Sequence, residues 1–124
     1  MRLLLDTHVL LWWLADEGLI PQAREAIADP DNLVMVSAAS AWEISIKKAL
    51  GKLAAPDDLE RQVDESGFAA LPISIAHGLA AGQLPRHHDD PFDRMLIAQA
   101  LADGLTLVTH DKRFSDYNVG LMPT

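Results

Sequence analysis

Apolar residues along the chain fall into short continuous runs, not an alternating pattern: Arg2 to Leu5, Leu33 to Val36, Ala69 to Ile73 and Leu105 to Val108, with a weaker fifth at Val119 to Met122. Runs of this length read as strands. A strand apolar on both faces needs cover on both sides, which is the condition of a parallel sheet layered between helices. The intervening segments supply that cover. Ala38 to Leu50 sets Trp42, Ile46 and Ala49 at helical spacing and stops at Gly51, a favoured residue just past a helix end. Asp90-Pro91-Phe92-Asp93 provides an N-cap, a proline at the first helical position and an acid in the first turn, and the helix it opens runs to Gly104. Shorter helices are predicted at Val9 to Leu14, Pro21 to Ala28, Pro56 to Glu65 and Ser74 to Ala81. The alternation predicts an α/β fold, a three-layer α/β/α sandwich with a central, mostly parallel sheet of about five strands.

Composition narrows the class. The 124 residues, 49% hydrophobic and 23% charged, suit one globular domain over residues 1–124 and exclude disorder, collagen and coiled coil. With no cysteine there is no disulfide framework, cysteine nucleophile or thiolate zinc site, and a reducing, cytoplasmic setting is expected. The longest apolar run, Val9 to Ala15, falls far short of the roughly 20 residues that span a bilayer. No membrane partner is expected, nor a signal peptide, because Asp6, Thr7 and His8 precede that run and Asp16 and Glu17 close it.

Ten Lys and Arg against eighteen Asp and Glu give a formal charge of −8, which argues against a simple basic-patch binder of nucleic acid. The distribution is uneven, however. Between Ala39 and Lys52 lie three lysines and one acid.

The candidate chemistry follows from where the acids fall. Ligands of an open parallel sheet sit beyond the carboxyl ends of its strands. Asp6 follows the first predicted strand and Asp111 the fourth; Glu43 lies one to two turns into the helix after the second strand, and Asp93 in the first turn of the helix before the fourth. Each has a local alternative. Asp6 could cap the following helix, Glu43 could pair with Lys47, Asp93 could belong to a cap with Asp90, and Asp111 could open a turn before Lys112 and Arg113. Taken together, four carboxylates at one sheet edge repel one another unless a cation neutralises them, and oxygen-only donors point to Mg²⁺ or Mn²⁺.

The segments Leu4-Leu5-Asp6-Thr7-His8-Val9-Leu10-Leu11-Trp12, Ser37-Ala38-Ala39-Ser40-Ala41-Trp42-Glu43-Ile44, Asp90-Pro91-Phe92-Asp93-Arg94-Met95-Leu96-Ile97-Ala98-Gln99-Ala100 and Leu107-Val108-Thr109-His110-Asp111 resemble the PIN-domain nucleases. Among these the chain is most similar to the VapC-type toxins of bacterial toxin–antitoxin modules. The resemblance implies a metal-dependent endoribonuclease whose acidic quartet is Asp6, Glu43, Asp93 and Asp111, holding Mg²⁺ or Mn²⁺. It implies an RNA substrate, a homodimer and a cognate VapB-type antitoxin that covers the site. Asp90 and Asp116 are further acids near the last two motifs.

Around the quartet, Lys47 and Arg94 are candidates for the RNA backbone, and the hydroxyls of Thr7, Ser37 and Thr109 for orienting a carboxylate or a water. Trp12, Trp13 and Trp42 read as packing residues before base-stacking ones. Hydrolysis by this route leaves a 5′-phosphate and a 3′-hydroxyl. Two rivals use other residues: a metal-free ribonuclease built on His8, His87, His88 and His110, or a Mg²⁺-binding receiver domain, which needs an acid after its middle strand where this chain has only Ser74.

Overall fold

Five strands form the centre of the molecule: β1 (Arg2–Leu5), β2 (Leu33–Ser37), β3 (Ala69–Leu71), β4 (Thr106–Val108) and β5 (Leu121–Met122). A computed structural model describes residues 1–124. In it the strands pair in the order β3-β2-β1-β4-β5, every neighbour parallel. The register sets Leu3 beside Val34 on one side and Thr106 on the other. Six helices surround the sheet: α1 (Thr7–Ala15), α2 (Pro21–Ala28), α3 (Ala38–Ala49), α4 (Leu59–Glu65), α5 (Ile75–Gln83) and α6 (Pro91–Asp103). None is long and apolar enough to cross a membrane.

Successive side chains of a strand point to opposite faces, and β1 divides the core accordingly. Leu3 and Leu5 join Val9, Leu10, Ile27 and Val34 under α1 and α2. Leu4 joins Leu96, Ile97, Leu107 and Phe114 under α6. All three leucines are fully buried, each worth about 1.5–3 kcal/mol of hydrophobic stabilisation. The predicted sandwich with a parallel sheet is therefore the observed one.

Local boundaries differ for identifiable reasons. The third strand stops at Leu71, two residues early, because Pro72 has no N–H for the ladder. The fourth helix begins at Leu59 and not Pro56. The first begins at Thr7 and not Val9, directly after Asp6. Gly104 ends α6 at φ 66°, a left-handed conformation that glycine adopts without strain.

The strand order locates the site. From β1 the chain builds outward through β2 to β3, then returns to add β4 and β5 on the other flank. The order reverses between β1 and β4, and the crevice at their carboxyl ends is where such sheets bind ligands. A receiver-type sheet has the order 2-1-3-4-5, so the receiver alternative fails on topology.

Candidate active site

Asp6 leaves β1 with its backbone N–H donating to the Val108 carbonyl at 3.0 Å, which fixes it against the end of β4. It occupies the N-cap position of α1, yet its side chain caps nothing. Instead, Oδ2 accepts the Thr109 hydroxyl at 2.7 Å, and that hydroxyl accepts the Asp111 N–H at 3.0 Å. One threonine thus joins the acid after β1 to the acid after β4. Asp6 is 5% exposed, and burial raises its pKa above the usual carboxylate range.

Glu43 projects from α3 and is 3% exposed. Its Oε2 meets Lys47 Nζ at 2.5 Å, the ion pair that their four-residue spacing allows, and this bond raises the Lys47 pKa. Its Oε1 is buried with no partner. An unpaired buried carboxylate oxygen costs the fold free energy.

At the start of α6 the cap is Asp90, whose Oδ1 accepts the Asp93 N–H at 2.9 Å. The Asp93 carboxylate therefore takes no part in the cap. Burial first, then the charges of Asp6, Asp90, Glu43 and Asp111, push it up to about 8. Asp111 differs in kind. It accepts the Arg113 N–H at 2.9 Å and the Arg113 guanidinium through Nη2 at 2.6 Å and Nε at 3.0 Å, which holds its pKa at about 2.

Asp6, Glu43, Asp93 and Asp111 line one hollow of about 540 Å³. Lys47 and Asp90 share it, with Lys112 and Arg113 beside Asp111. A further part is aromatic: Trp12 lies between His8, at 6.2 Å between ring centroids, and His110, at 5.6 Å. Asp116 is exposed and does not line the hollow. The donor set is carboxylate oxygen, which suits a small hard cation, and the unpartnered Glu43 oxygen and the displaced Asp93 pKa are what such a cation would relieve.

Several candidates stand elsewhere. The Arg94 guanidinium does not line the hollow; it donates to the carbonyls of Ala81, Leu84, Pro85 and His88 and ties the loop before α6 to α5. The Ser37 hydroxyl caps α3 by accepting the Ala39 N–H and donates to Gln99 Oε1 at 2.6 Å. The Thr7 hydroxyl donates to Ser40 Oγ at 2.9 Å inside the fold. Trp42 is 62% exposed, edge-on to Phe92, and is not a core residue.

One residue, named at first only for the metal-free alternative, stands beside the acids. His88 lies buried behind the carboxylates, its Nε2 2.9 Å from Asp93 Oδ2 and 3.7 Å from Asp111 Oδ2. The donor atoms of these three residues all lie within 4.8 Å of one another. In sequence, His87 and His88 stand side by side in a polar loop with nothing to tell them apart. Only His87 is exposed; His88 is the one buried residue between Pro85 and Asp90, and no local pattern in that loop marks it.

A parallel sheet that gathers acids at its switch point is the build of the α/β proteins that use divalent ions. The family model for the PIN domain matches residues 3–120. Ribonuclease VapC22 of Mycobacterium tuberculosis is 31% identical over 122 residues, covering 92% of this chain and 90% of that protein. The chain belongs to the PIN-domain family, and within it to the VapC-type toxins. Among solved structures, VapBC2 from Rickettsia felis bound to a promoter DNA fragment superposes with a TM-score of 0.74 at 17% identity, covering 99% of this chain and 98% of that one. DNA-bound VapBC from Salmonella typhimurium gives a TM-score of 0.71 at 17% identity over the same shares of the two chains.

Proposed function

We propose that this chain is a metal-dependent endoribonuclease, the toxin of a toxin–antitoxin module, and that Asp6, Glu43, Asp93 and Asp111 hold Mg²⁺ or Mn²⁺ in the hollow between β1 and β4. The observation that carries the reading is the Glu43 Oε1 atom, buried without a partner in a hollow lined by four other carboxylates. A divalent ion at such a site supplies Lewis-acid charge to phosphate oxygens and lowers the pKa of an attacking water. The chain does the rest. Thr109 orients Asp6 through its hydroxyl and Asp111 through the N–H it receives. Lys47, Lys112 and Arg113 put positive charge beside the acids, where the RNA backbone must pass in a protein of net charge −8. The attacking oxygen comes from water and not from the substrate's 2′-hydroxyl, so the products are a 5′-phosphate and a 3′-hydroxyl.

The VapBC complexes of like fold support a VapB-type antitoxin as partner. A homodimer belongs to the same reading.

The test is cleavage of end-labelled single-stranded RNA by the purified protein in Mg²⁺, in Mn²⁺ and in EDTA. Cleavage that needs the metal and leaves a ligatable 5′-phosphate is expected. Undiminished cleavage in EDTA with a cyclic phosphate product would overturn the reading and turn attention to His8 and His110, which face the same hollow.

A further inference from the structure

His88 is held from every side. Its backbone N–H donates to the Tyr117 hydroxyl at 3.0 Å, its carbonyl accepts Arg94 Nη1 at 3.2 Å, and its ring lies against Phe114 with centroids 5.7 Å apart. The fourth contact decides its chemistry: Nδ1 accepts the backbone N–H of Asp90 at 3.2 Å. A ring nitrogen that accepts a hydrogen bond carries no proton, so in the neutral imidazole the proton sits on Nε2.

That nitrogen points at the site. It stands 2.9 Å from Asp93 Oδ2 and 3.7 Å from Asp111 Oδ2, in well-aligned hydrogen bonding with neither. Distance alone would make His88, Asp93 and Asp111 a ligand triad. The tautomer argues otherwise, because a protonated Nε2 has no lone pair to give a cation. Contact with substrate is also excluded, since the side chain is 1% exposed and does not line the hollow.

Resting on the metal-dependent reading above, we propose that His88 is a positioning residue: its Nε2 proton, 2.9 Å from Asp93 Oδ2 and out of line in the ion-free site, turns onto the Asp93 carboxylate when a divalent ion draws that carboxylate into place, and holds it there. The usual relation at metal sites, a carboxylate orienting a ligating histidine, is reversed here. Arg94 has its part through the same contact. By gripping the carbonyls of Pro85 and His88 it fixes the loop that aims the imidazole.

The experiment uses the full chain and two measurements besides cleavage. Long-range ¹H–¹⁵N correlation spectra assign the His88 tautomer without ion and with Mg²⁺; the proton is expected on Nε2 in both. Mn²⁺ titration followed by electron paramagnetic resonance then compares wild type, His88→Leu and His88→Gln, with thermal melts to follow the fold. His88→Leu should weaken Mn²⁺ at least about tenfold, and His88→Gln, whose amide N–H can reach the Nε2 position, should recover most of the loss. A proton on Nδ1, loss of the Nε2 proton when Mg²⁺ is added, or wild-type Mn²⁺ affinity in His88→Leu overturns the proposal. Should His88→Leu not fold, the tautomer and His88→Gln decide. A wild type that takes up no Mn²⁺ removes the metal reading and this proposal with it, whereas a wild type that binds Mn²⁺ beside a His88→Leu that binds it equally well removes this proposal alone.

Discussion

Two buried polar clusters flank the sheet, and they are built on opposite rules. Around Gln99, which is fully buried, donors and acceptors match: Oε1 accepts the Ser37 hydroxyl at 2.6 Å, and Nε2 donates to the Pro72 carbonyl at 3.2 Å and lies 3.5 Å from His77 Nδ1. His77 continues the chain, its Nδ1 accepting the Ser74 N–H and its Nε2 reaching Asp103 Oδ2 at 3.2 Å. The hollow at the β1–β4 edge leaves Glu43 Oε1 without a partner and raises the pKa of two of its acids. A satisfied buried network adds to stability and specifies the fold. An unsatisfied one is a cost that the rest of the fold must offset, and proteins retain such costs mainly at functional sites.

The strongest way to break this contrast is Asp93→Asn. Cleavage of RNA should fall by about 100-fold or more through loss of an ion-holding carboxylate, while the ion-free protein melts at the same temperature or higher because repulsion is relieved. A protein that instead unfolds would make the hollow a structural element. Mg²⁺ or Mn²⁺ should raise the melting temperature of the wild type by mass action, and that of Asp93→Asn by less.

Gln99→Leu probes the other cluster. It strands the Ser37 hydroxyl and the Pro72 carbonyl, and a urea titration should register a loss of about 1–3 kcal/mol. Mn²⁺ affinity should stay at the wild-type value. A drop would show that the two clusters are coupled across the sheet.

Acidity sharpens the comparison without any mutation. Asp93 has its pKa raised from 3.8 to about 8, so between these values the folded chain keeps a proton that the unfolded chain has lost. Ion-free stability should therefore fall as pH rises from about 4 to about 8, and this slope should flatten in Asp93→Asn. Asp111 runs the other way. Lowered to about 2 by Arg113, it contributes stability above pH 3.8 that is lost as pH falls through about 2. Urea titrations at a series of pH values read both.

The smallest expected effect belongs to Thr109→Val, which keeps the shape of the side chain and removes the hydroxyl between Asp6 and Asp111. Mn²⁺ affinity should drop by up to about tenfold with little change in melting temperature. No change at all would mean that Asp6 is held by its backbone bond to Val108 alone.

Much of this was legible in the sequence, and the rest was hidden for physical reasons. Continuous apolar runs and helical spacing located five strands and six helices, because burial on both faces leaves a local imprint. The acids that follow β1 and β4 could be assigned to one edge because a parallel sheet puts all its carboxyl ends together. Arg94 was misplaced for a different cause. Its partners are main-chain carbonyls of residues 81 to 88, which no side-chain pattern announces. Ser37, read as a site hydroxyl, caps α3 and meets Gln99 from 62 residues away. The burial of His88 was hidden by the same kind of distance, since its backbone N–H donates to the hydroxyl of Tyr117, 29 residues on.

The hydroxyl that holds Asp6 comes from a residue 103 positions later in the chain. β1 and β4, neighbours in the sheet, are separated along the chain by β2, β3 and six helices. Until β4 docks, Asp6 has neither the Val108 carbonyl nor the Thr109 hydroxyl to hold it. The hollow is thus complete only once the most distant pairing in the sheet has formed, a long loop closure of the kind that slows folding.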